Sequence, residues 1–310
     1  MIAALEWIGT RARWILAIGA IAALFLQDLA ASLRPALPAF VALMYLLAMI
    51  RIDLSAVLRR SLRPARLAVI LGVCIALMVV TPAFIAGIAK LLSLPEDLRQ
   101  SLVYIAAGPP LGSSAALCLL LGLDAALAIE LTIVGSFLTP FLGPLVTSFL
   151  LGEAVPIDPF SLSLRLALMI GAGAVLAVLL RMLLGTELIA RQASVFDGIG
   201  AIAMLATIIP IFDGATEQIL RTPHLAAMTL ALAFALNIGL QLVSTPILRQ
   251  FTPTESAGAV GLIWGNRNAA LYLAALPQAP VFSLFVALYQ FPMYMTPLLM
   301  KNFYYKKKIK

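Results

Sequence analysis

Long apolar segments follow one another along almost the whole chain, and they limit what it can fold into more than any other feature. A bilayer core of about 30 Å is crossed by about 20 helical residues. The chain contains about ten segments of this kind, at approximately 14–32, 35–51, 67–90, 99–121, 125–151, 162–183, 193–212, 222–247, 255–276 and 279–303. Lipid offers no hydrogen-bond partners, so a spanning segment must satisfy its own backbone groups. The sequence therefore predicts an all-α polytopic membrane protein with about ten transmembrane helices.

The composition excludes a soluble protein. Hydrophobic residues make up 63% of the 310 residues and charged residues only 11%, and a soluble domain of this length has no way to hide so much apolar surface. We expect a single membrane domain over residues 1–310. The formal net charge is +7, but the basic residues are spread over the connections between segments instead of forming one face, so nucleic acid is not an expected partner.

The charged residues of the connections alternate from one side of the membrane to the other. One set of alternate connections carries most of the basic residues, namely Arg11, Arg13, Arg51, Arg59, Arg60, Arg63, Arg66, Arg181, Arg191, Arg249 and the residues from Lys301 to Lys310. The other set carries most of the acids, among them Asp28, Glu96, Asp97, Glu153, Asp158, Asp213 and Glu217. Lysine and arginine mark the cytoplasmic side. The pattern predicts a multi-pass protein with both termini in the cytoplasm and a short basic tail over 304–310, and the compact architecture suggests a bacterial inner membrane.

Two of the apolar segments contain residues that cannot continue a helix. The first break is Gly108-Pro109-Pro110-Leu111-Gly112-Ser113-Ser114, and the second is Trp264-Gly265-Asn266-Arg267-Asn268. Proline lacks the backbone donor and clashes with the preceding turn. At 1.5 Å per residue, both breaks lie roughly 13–22 Å into their segments, near the bilayer centre. Interrupted helices at matching positions of two halves are typical of a transporter's binding site. We therefore predict that the fourth and ninth helices are broken and cross there.

An internal repeat accompanies the breaks. Ser114-Ala115-Ala116-Leu117 follows the first break and Asn268-Ala269-Ala270-Leu271 follows the second. Thr139-Pro140 in the fifth segment is matched by Thr296-Pro297 in the tenth. Since each half holds five spans, an odd number, the second half must be inverted relative to the first. The predicted repeats are approximately 14–151 and 162–303.

Arg267 is the first candidate for a functional side chain. A charge at the bilayer centre costs about 2.5–3.5 kcal/mol on insertion scales and therefore needs a partner or a wet cavity. One interpretation is a fixed positive charge that grips an anionic substrate such as a carboxylate. The alternatives are a structural ion pair with Glu130, or a guanidinium that caps the carbonyls of the broken helices.

Glu130 and five polar residues complete the predicted site. Glu130 is a candidate for coupling transport to protons, or else an acid that faces a cytoplasmic vestibule. The polar side chains expected to bind substrate together with Arg267 are Asn266, Asn268, Ser113, Ser114 and Thr132. Ser113 or Ser114 with His224, the only histidine, does not form a hydrolase site, because His224 is expected at a different depth. We predict no enzyme activity, no cofactor and no metal motif.

These residues resemble the bile acid/sodium symporter family, in a superfamily that includes arsenite permeases. The resemblance runs from Met44–Asp53 through Leu91–Pro95 to both breaks, and its most specific parts are Pro110–Ser114 with Thr132 and Pro140, and Gly265–Asn268. It implies ten helices, a core domain with two crossing broken helices and a panel-like domain. It also implies that these two domains move around a cavity for an organic anion.

The same resemblance implies that most sodium ligands are missing. Ser114 and Thr132 keep suitable oxygens as remnants of the sodium sites. Leu77, Ala115, Ala128 and Ile263 stand where the family has polar ligands, and Arg267 replaces a glutamine. The main hypothesis is therefore a secondary transporter of a small organic anion that does not use the two sodium sites, with Arg267 in place of bound sodium. The alternatives are a sodium- or proton-coupled symporter of bile-acid-like carboxylates, and a membrane sensor or scaffold that does not transport.

Overall fold

The computed structural model describes residues 2–152 and 157–304, and these residues are helical apart from short connections. Among the residues named in the sequence analysis, Glu153 and residues 305–310 of the basic tail lie outside the described residues. The helices are α1 (Ile2–Ala23), α2 (Gln27–Leu33), α3 (Leu37–Ile50), α4 (Leu54–Ser61), α5 (Pro64–Ile75), α6 (Thr81–Leu91), α7 (Glu96–Ala107), α8 (Ser114–Leu120), α9 (Ala125–Leu151), α10 (Pro159–Leu184), α11 (Thr186–Arg191), α12 (Ala193–Ile211), α13 (Ala215–Arg221), α14 (Pro223–Phe234), α15 (Leu240–Leu248), α16 (Thr254–Gly265), α17 (Ala269–Ala275), α18 (Pro280–Leu299) and α19 (Lys301–Tyr304).

Several of these helices join end to end into longer rods. A 3-10 turn over Arg34–Ala36 joins α2 to α3, and π-helical turns over Ala76–Val80 and Ala235–Gly239 join α5 to α6 and α14 to α15. In the described residues, seven rods are long and apolar enough to cross a membrane: Gln27–Ile50, Pro64–Leu91, Ala125–Leu151, Pro159–Leu184, Ala193–Ile211, Pro223–Leu248 and Pro280–Leu299. The protein is therefore a multi-pass helical membrane protein.

The predicted boundary between the first two spans is wrong. The sequence predicted spans over 14–32 and 35–51, whereas α1 ends at Ala23 and the next rod already begins at Gln27. Arg34 consequently lies inside a rod and not in a connection. Its guanidinium donates to the carbonyls of Pro210 and Leu273, at 3.4 Å each, which compensates for its position in an apolar segment.

Aspartate side chains begin three of the helices after short connections. Asp53 accepts a hydrogen bond from Ala56 N at the start of α4, Asp124 from Leu127 N at the start of α9, and Asp158 from Ser161 N at the start of α10. An N-cap of this type satisfies one of the free donors at a helix start. Asp124 therefore caps the start of α9.

Buried apolar residues form two clusters, and the rods carry apolar residues on their outer faces as well. One cluster joins α1, α3, α10 and α12 to α7, α17 and α18, and the other joins α5, α8, α9 and α16. Outward-facing side chains such as Phe149 (87% exposed) and Leu183 (80% exposed) are apolar. Exposed apolar residues along whole rods are expected where lipid is the solvent, so the two clusters hold the rods together and the outer surface meets the bilayer.

Candidate functional site

The two sequence breaks lie against each other in the middle of the fold. Helix α7 ends at Ala107 and α8 begins at Ser114, while α16 ends at Gly265 and α17 begins at Ala269. Leu111 N donates to Asn266 O at 3.1 Å, and Asn268 N donates to Pro109 O at 2.9 Å. Each break thus supplies backbone partners for the other, which is how irregular backbone is tolerated inside an apolar fold.

Glycine permits the close approach of α16 to the neighbouring rod. A Cβ at Gly265 would collide with the carbonyl oxygen of Asn237 and would lie 2.7 Å from Cγ of Gln241. Asn237 is in the π-helical turn between α14 and α15. Because both obstacles are fully buried, a larger residue at this position would force the second break away from the rod.

Arg267 is buried among backbone carbonyls. Its side chain is one of the largest that is fully buried, and the residue is 1% exposed. Nε donates to Trp264 O at 3.0 Å, Nη1 to Gly108 O at 3.3 Å and Nη2 to Leu77 O at 3.1 Å. Trp264 and Gly108 lie at the C-terminal ends of α16 and α7, where the helix dipole is negative. The guanidinium therefore occupies the point at which the negative ends of two helices meet.

Glu130 does not pair with Arg267, so that predicted alternative is wrong. Oε2 of Glu130 accepts a hydrogen bond of 2.6 Å from Nε of Arg66, and Oε1 lies 2.8 Å from Nε of Arg60. The carboxylate is nearly buried, whereas the Arg60 side chain is 54% exposed. The pairing is not apparent from the sequence, because Arg60 and Arg66 lie on either side of the connection between α4 and α5, far from Glu130 along the chain. The three side chains tie that connection to α9.

A network of buried amide side chains from the rod Pro223–Leu248 also binds the second break. Asn237 Nδ2 donates to Gly265 O at 2.7 Å and lies 3.3 Å from Asn266 Oδ1. Asn266 Nδ2 in turn donates to Leu262 O at 2.9 Å. Gln241 Nε2 donates to Asn237 Oδ1 at 3.0 Å, and the hydroxyl of Tyr289 donates to Gly265 O. Asn266 is therefore tied into the scaffold, and the role of Asn237 and Gln241 in joining helices agrees with their polar character in apolar segments.

A small cavity lies beside the breaks, and Thr132 is the predicted site residue that lines it. A cavity of about 20 Å³ is bounded by Tyr45, Gly112, Ala115, Thr132 and Ser136 among others, which is room for about one water molecule. Asn268 Nδ2 donates to the hydroxyl of Tyr45 at 3.2 Å, and Asn268 and Ser113 are half-buried. Tyr45 gave no signal in the sequence, because an isolated tyrosine in an apolar segment reads as packing.

The predicted substrate-binding residues thus fall into two groups. Asn268, Ser113 and Thr132 are half-buried, and of these three Thr132 lines the cavity. Arg267, Asn266 and Ser114 are buried, with exposures of 1%, 0% and 0%. In this conformation the guanidinium has no open face, because the residue is buried and its nitrogens donate to backbone carbonyls.

The side chains at the break do not fit a sodium ion. The hydroxyls of Ser114 and Thr132 have no hydrogen-bond partner among the described residues, so two oxygens are available. Leu77, Ala128 and Ile263 are fully buried aliphatic side chains and offer no ligand oxygen. The carbonyls that point inward are already bonded to the guanidinium of Arg267. Hard cations need several oxygen ligands. The described side chains at the break offer two hydroxyl oxygens, and the nearby carbonyls already bind the guanidinium of Arg267.

Comparison with known proteins identifies one family. The description "Sodium Bile acid symporter family" matches residues 37–222. No curated protein matches the chain. The matched range contains the first break and Glu130, whereas the second break and Arg267 lie beyond it.

Proposed function

Because the chain belongs to the sodium bile acid symporter family, we propose that it is a secondary transporter of a small organic anion that works by alternating access and without bound sodium. The observation that carries the proposal is the buried guanidinium of Arg267 between the C-terminal ends of α7 and α16. Without a cation, these two negative helix ends would repel an anion at the crossing. The charge of Arg267 neutralises these helix ends at all times. A sodium ion would neutralise them only while it is bound.

The architecture that we propose has ten spans in two inverted halves. The seven long rods, α1, and the interrupted pairs α7–α8 and α16–α17 supply ten segments. The two π-helical turns support the repeat: each begins 12 residues after the start of its rod, at 76 after 64 and at 235 after 223. π-helical turns are rare and often mark functional sites. Five spans in each half would place the halves in opposite orientations.

The moving surfaces that we propose lie between two groups of helices. The first group is α1, α2–α3, α10 and α12, and the second contains the two breaks. Arg34 and Arg165, from the first group, donate to the carbonyls of Leu273 and Ala275 near the C-terminal end of α17, Arg165 at 2.9 Å. These contacts hold the two groups together within the spanning segments, in the first halves of the two rods that carry Arg34 and Arg165. The cavity near Thr132 is bounded by Met49 and Ile52, at the other end of the rod that carries Arg34.

The cavity has room for about one water molecule, so binding of an organic anion there requires the wider opening that alternating access would provide. The anion would then be bound by neutral donors beside the crossing that Arg267 neutralises. The amide of Asn268 and the hydroxyls of Ser113 and Thr132 are the accessible donors. Glu130 as the coupling group remains a prediction. Its pairing with Arg60 and Arg66 favours a structural role instead. We place the protein in the bacterial inner membrane because of its compact architecture, and we place both termini in the cytoplasm because of the charge pattern.

Transport in proteoliposomes tests the proposal. Uptake of radiolabelled carboxylates, from lactate-sized acids to taurocholate, is measured in NaCl, KCl and choline chloride. We expect saturable uptake or counterflow of at least one carboxylate at the same rate in all three salts. A rate that requires sodium refutes the proposed mechanism.

A second candidate function is a membrane sensor, which the small volume of the cavity favours. A sensor would be stabilised by a carboxylate and would show no flux of that carboxylate in counterflow.

A further inference from the structure

A second and larger cavity lies where two membrane-spanning rods end. It has a volume of about 370 Å³ and is lined by the C-terminal parts of α3 and α10 and by the starts of α4 and α11. The rods Gln27–Ile50 and Pro159–Leu184 both end at this cavity. Rods of this length reach from one boundary of the hydrocarbon layer to the other, so the cavity lies at the level of the lipid headgroups.

One side of the cavity continues into the lipid-facing surface of α10. Val178 and Met182 line the cavity and are 42% and 77% exposed. Leu179 and Leu183, which neighbour them on α10, are 49% and 80% exposed. An amphiphile with its polar group in the cavity can therefore lay its chains along α10 without leaving the bilayer.

The other side of the cavity carries one positive and one negative side chain. Arg181 Nη1 donates to Ile50 O at 3.0 Å, which holds the guanidinium at the wall. Asp53 accepts hydrogen bonds from Ser55 Oγ at 2.7 Å and Ala56 N at 2.9 Å, both on Oδ1, so that Oδ2 is left for a ligand. None of the ion pairs in the described ranges joins Asp53 to Arg181. The residues that line the cavity thus carry one positive and one negative charge, and the two charges are not paired with each other.

The carboxylate of Asp53 stays ionised at neutral pH. The hydrogen bonds from Ser55 and Ala56 lower the pKa of Asp53, and the charge of Arg181 lowers it further. Arginine does not lose its proton in proteins. A ligand that complements this cavity must therefore bring a negative and a positive group of its own.

We propose that this cavity binds the headgroup of a zwitterionic aminophospholipid, with the phosphate on Arg181 and the ammonium group on Asp53. Charge-assisted hydrogen bonds from a guanidinium to a phosphate are strong and directional. A purely anionic headgroup would satisfy Arg181 but would add a negative charge beside Asp53. A choline headgroup carries no N–H group for Oδ2 of Asp53. Met49 and Ile52 line both this cavity and the smaller cavity near Thr132, but the proposed headgroup contacts with Arg181 and Asp53 do not depend on the transport activity.

Lipid titration of the purified full chain in detergent tests the proposal. The thermal midpoint is measured against phosphatidylethanolamine, phosphatidylglycerol and phosphatidylcholine with identical acyl chains. We expect half-saturation by phosphatidylethanolamine at about tenfold lower concentration than by the other two, as one extra charged hydrogen bond provides. The variant Asp53→Asn retains the helix cap and should lose this preference, while Arg181→Gln should weaken binding of all three lipids.

The matched control is Asp158→Asn, which changes an aspartate that also caps a helix, at the opposite end of α10. It should leave the preference intact. Equal half-saturation by the three lipids, or an unchanged preference in Asp53→Asn, overturns the proposal. A preference for phosphatidylglycerol does so too, because it identifies a simple anion site. If Arg181→Gln does not fold, the comparison of Asp53→Asn with Asp158→Asn still tests whether the lipid preference depends on Asp53.

Discussion

Replacing Arg267 with glutamine should turn a sodium-independent protein into one that sodium stabilises. The side chain donates to the carbonyls of Trp264, Gly108 and Leu77. Glutamine is shorter and uncharged, so it leaves these carbonyls without the guanidinium. It also brings its own carbonyl oxygen to the same place. The resemblance of the sequence implies that other members of the family carry glutamine at this position.

The size of the effect follows from two opposed terms. Each buried carbonyl that loses its partner costs about 1–3 kcal/mol, so three of them cost about 3–9 kcal/mol. Holding the guanidinium inside the membrane costs about 2.5–3.5 kcal/mol, a cost that the variant no longer has. The difference is centred on about 3 kcal/mol. We therefore expect Arg267→Gln to be less stable than the parent protein but still folded.

Sodium should recover much of this loss. Binding at one hundred times the dissociation constant stabilises a protein by about 2.7 kcal/mol, which corresponds to roughly 5–10 °C in thermal midpoint for a chain of this order of length. The assay is thermal unfolding of the purified protein in NaCl against equal concentrations of KCl and choline chloride. The parent protein should unfold at the same temperature in all three salts. Uptake by the variant should likewise require sodium.

The variant Arg267→Met is the matched control. It removes the charge and leaves the carbonyls unbonded as glutamine does, but it contributes no oxygen. We expect it to be as unstable as Arg267→Gln and to gain little from sodium. If sodium stabilises the parent protein and Arg267→Gln equally, then the guanidinium does not take the place of a cation. If neither variant is destabilised, then the three carbonyls do not depend on Arg267.

Three further substitutions test the surrounding site. Glu130→Gln leaves Arg60 and Arg66 without their carboxylate and should lower the free energy of unfolding by about 1–3 kcal/mol. The loss is limited because both arginines are partly exposed and regain contact with water. A change in the pH dependence of counterflow would instead identify Glu130 as the coupling group. Asn268→Ala should weaken the apparent affinity for the transported carboxylate roughly 10–100-fold without loss of the folded protein, whereas Gln278→Ala, at an exposed site, should not change uptake. Gly265→Ala should cost about 1–3 kcal/mol in thermal unfolding, because its Cβ meets the Asn237 carbonyl and Gln241, and a normal thermal midpoint would contradict the close approach of α16.

The sequence was informative wherever the bilayer constrains it. A rod that crosses lipid needs a long apolar stretch, so the apolar segments predicted a multi-pass helical protein, and this is confirmed. The resemblance to the symporter family is confirmed as well. Boundaries were less certain where apolar residues run across a turn. The chain turns at residues 24–26, between Ala23 and Gln27, and no proline or glycine marks that turn.

Side-chain partners were the weakest part of the prediction, as Glu130 illustrates. Depth along a helix can be counted from the sequence, but the direction in which a side chain points cannot. Glu130 and Arg267 both belong to apolar segments and carry opposite charges, so a pair between them was a reasonable expectation. The rods turn Glu130 towards Arg66, 64 positions away, and Arg267 towards backbone carbonyls.

By itself, the amino-acid sequence determined that this chain is a membrane protein, that two of its apolar segments contain helix breaks, and that an arginine lies at one of the breaks. These features follow from local chemistry: the apolar length of a segment, the missing donor of proline and the cost of a buried charge. Only the tertiary structure decided that the guanidinium would be surrounded by the ends of two helices and by Leu77 O, because Leu77 lies 190 positions from Arg267 in the sequence. Backbone carbonyls carry no signature in the sequence, since every residue has one, and only folding brings particular ones together.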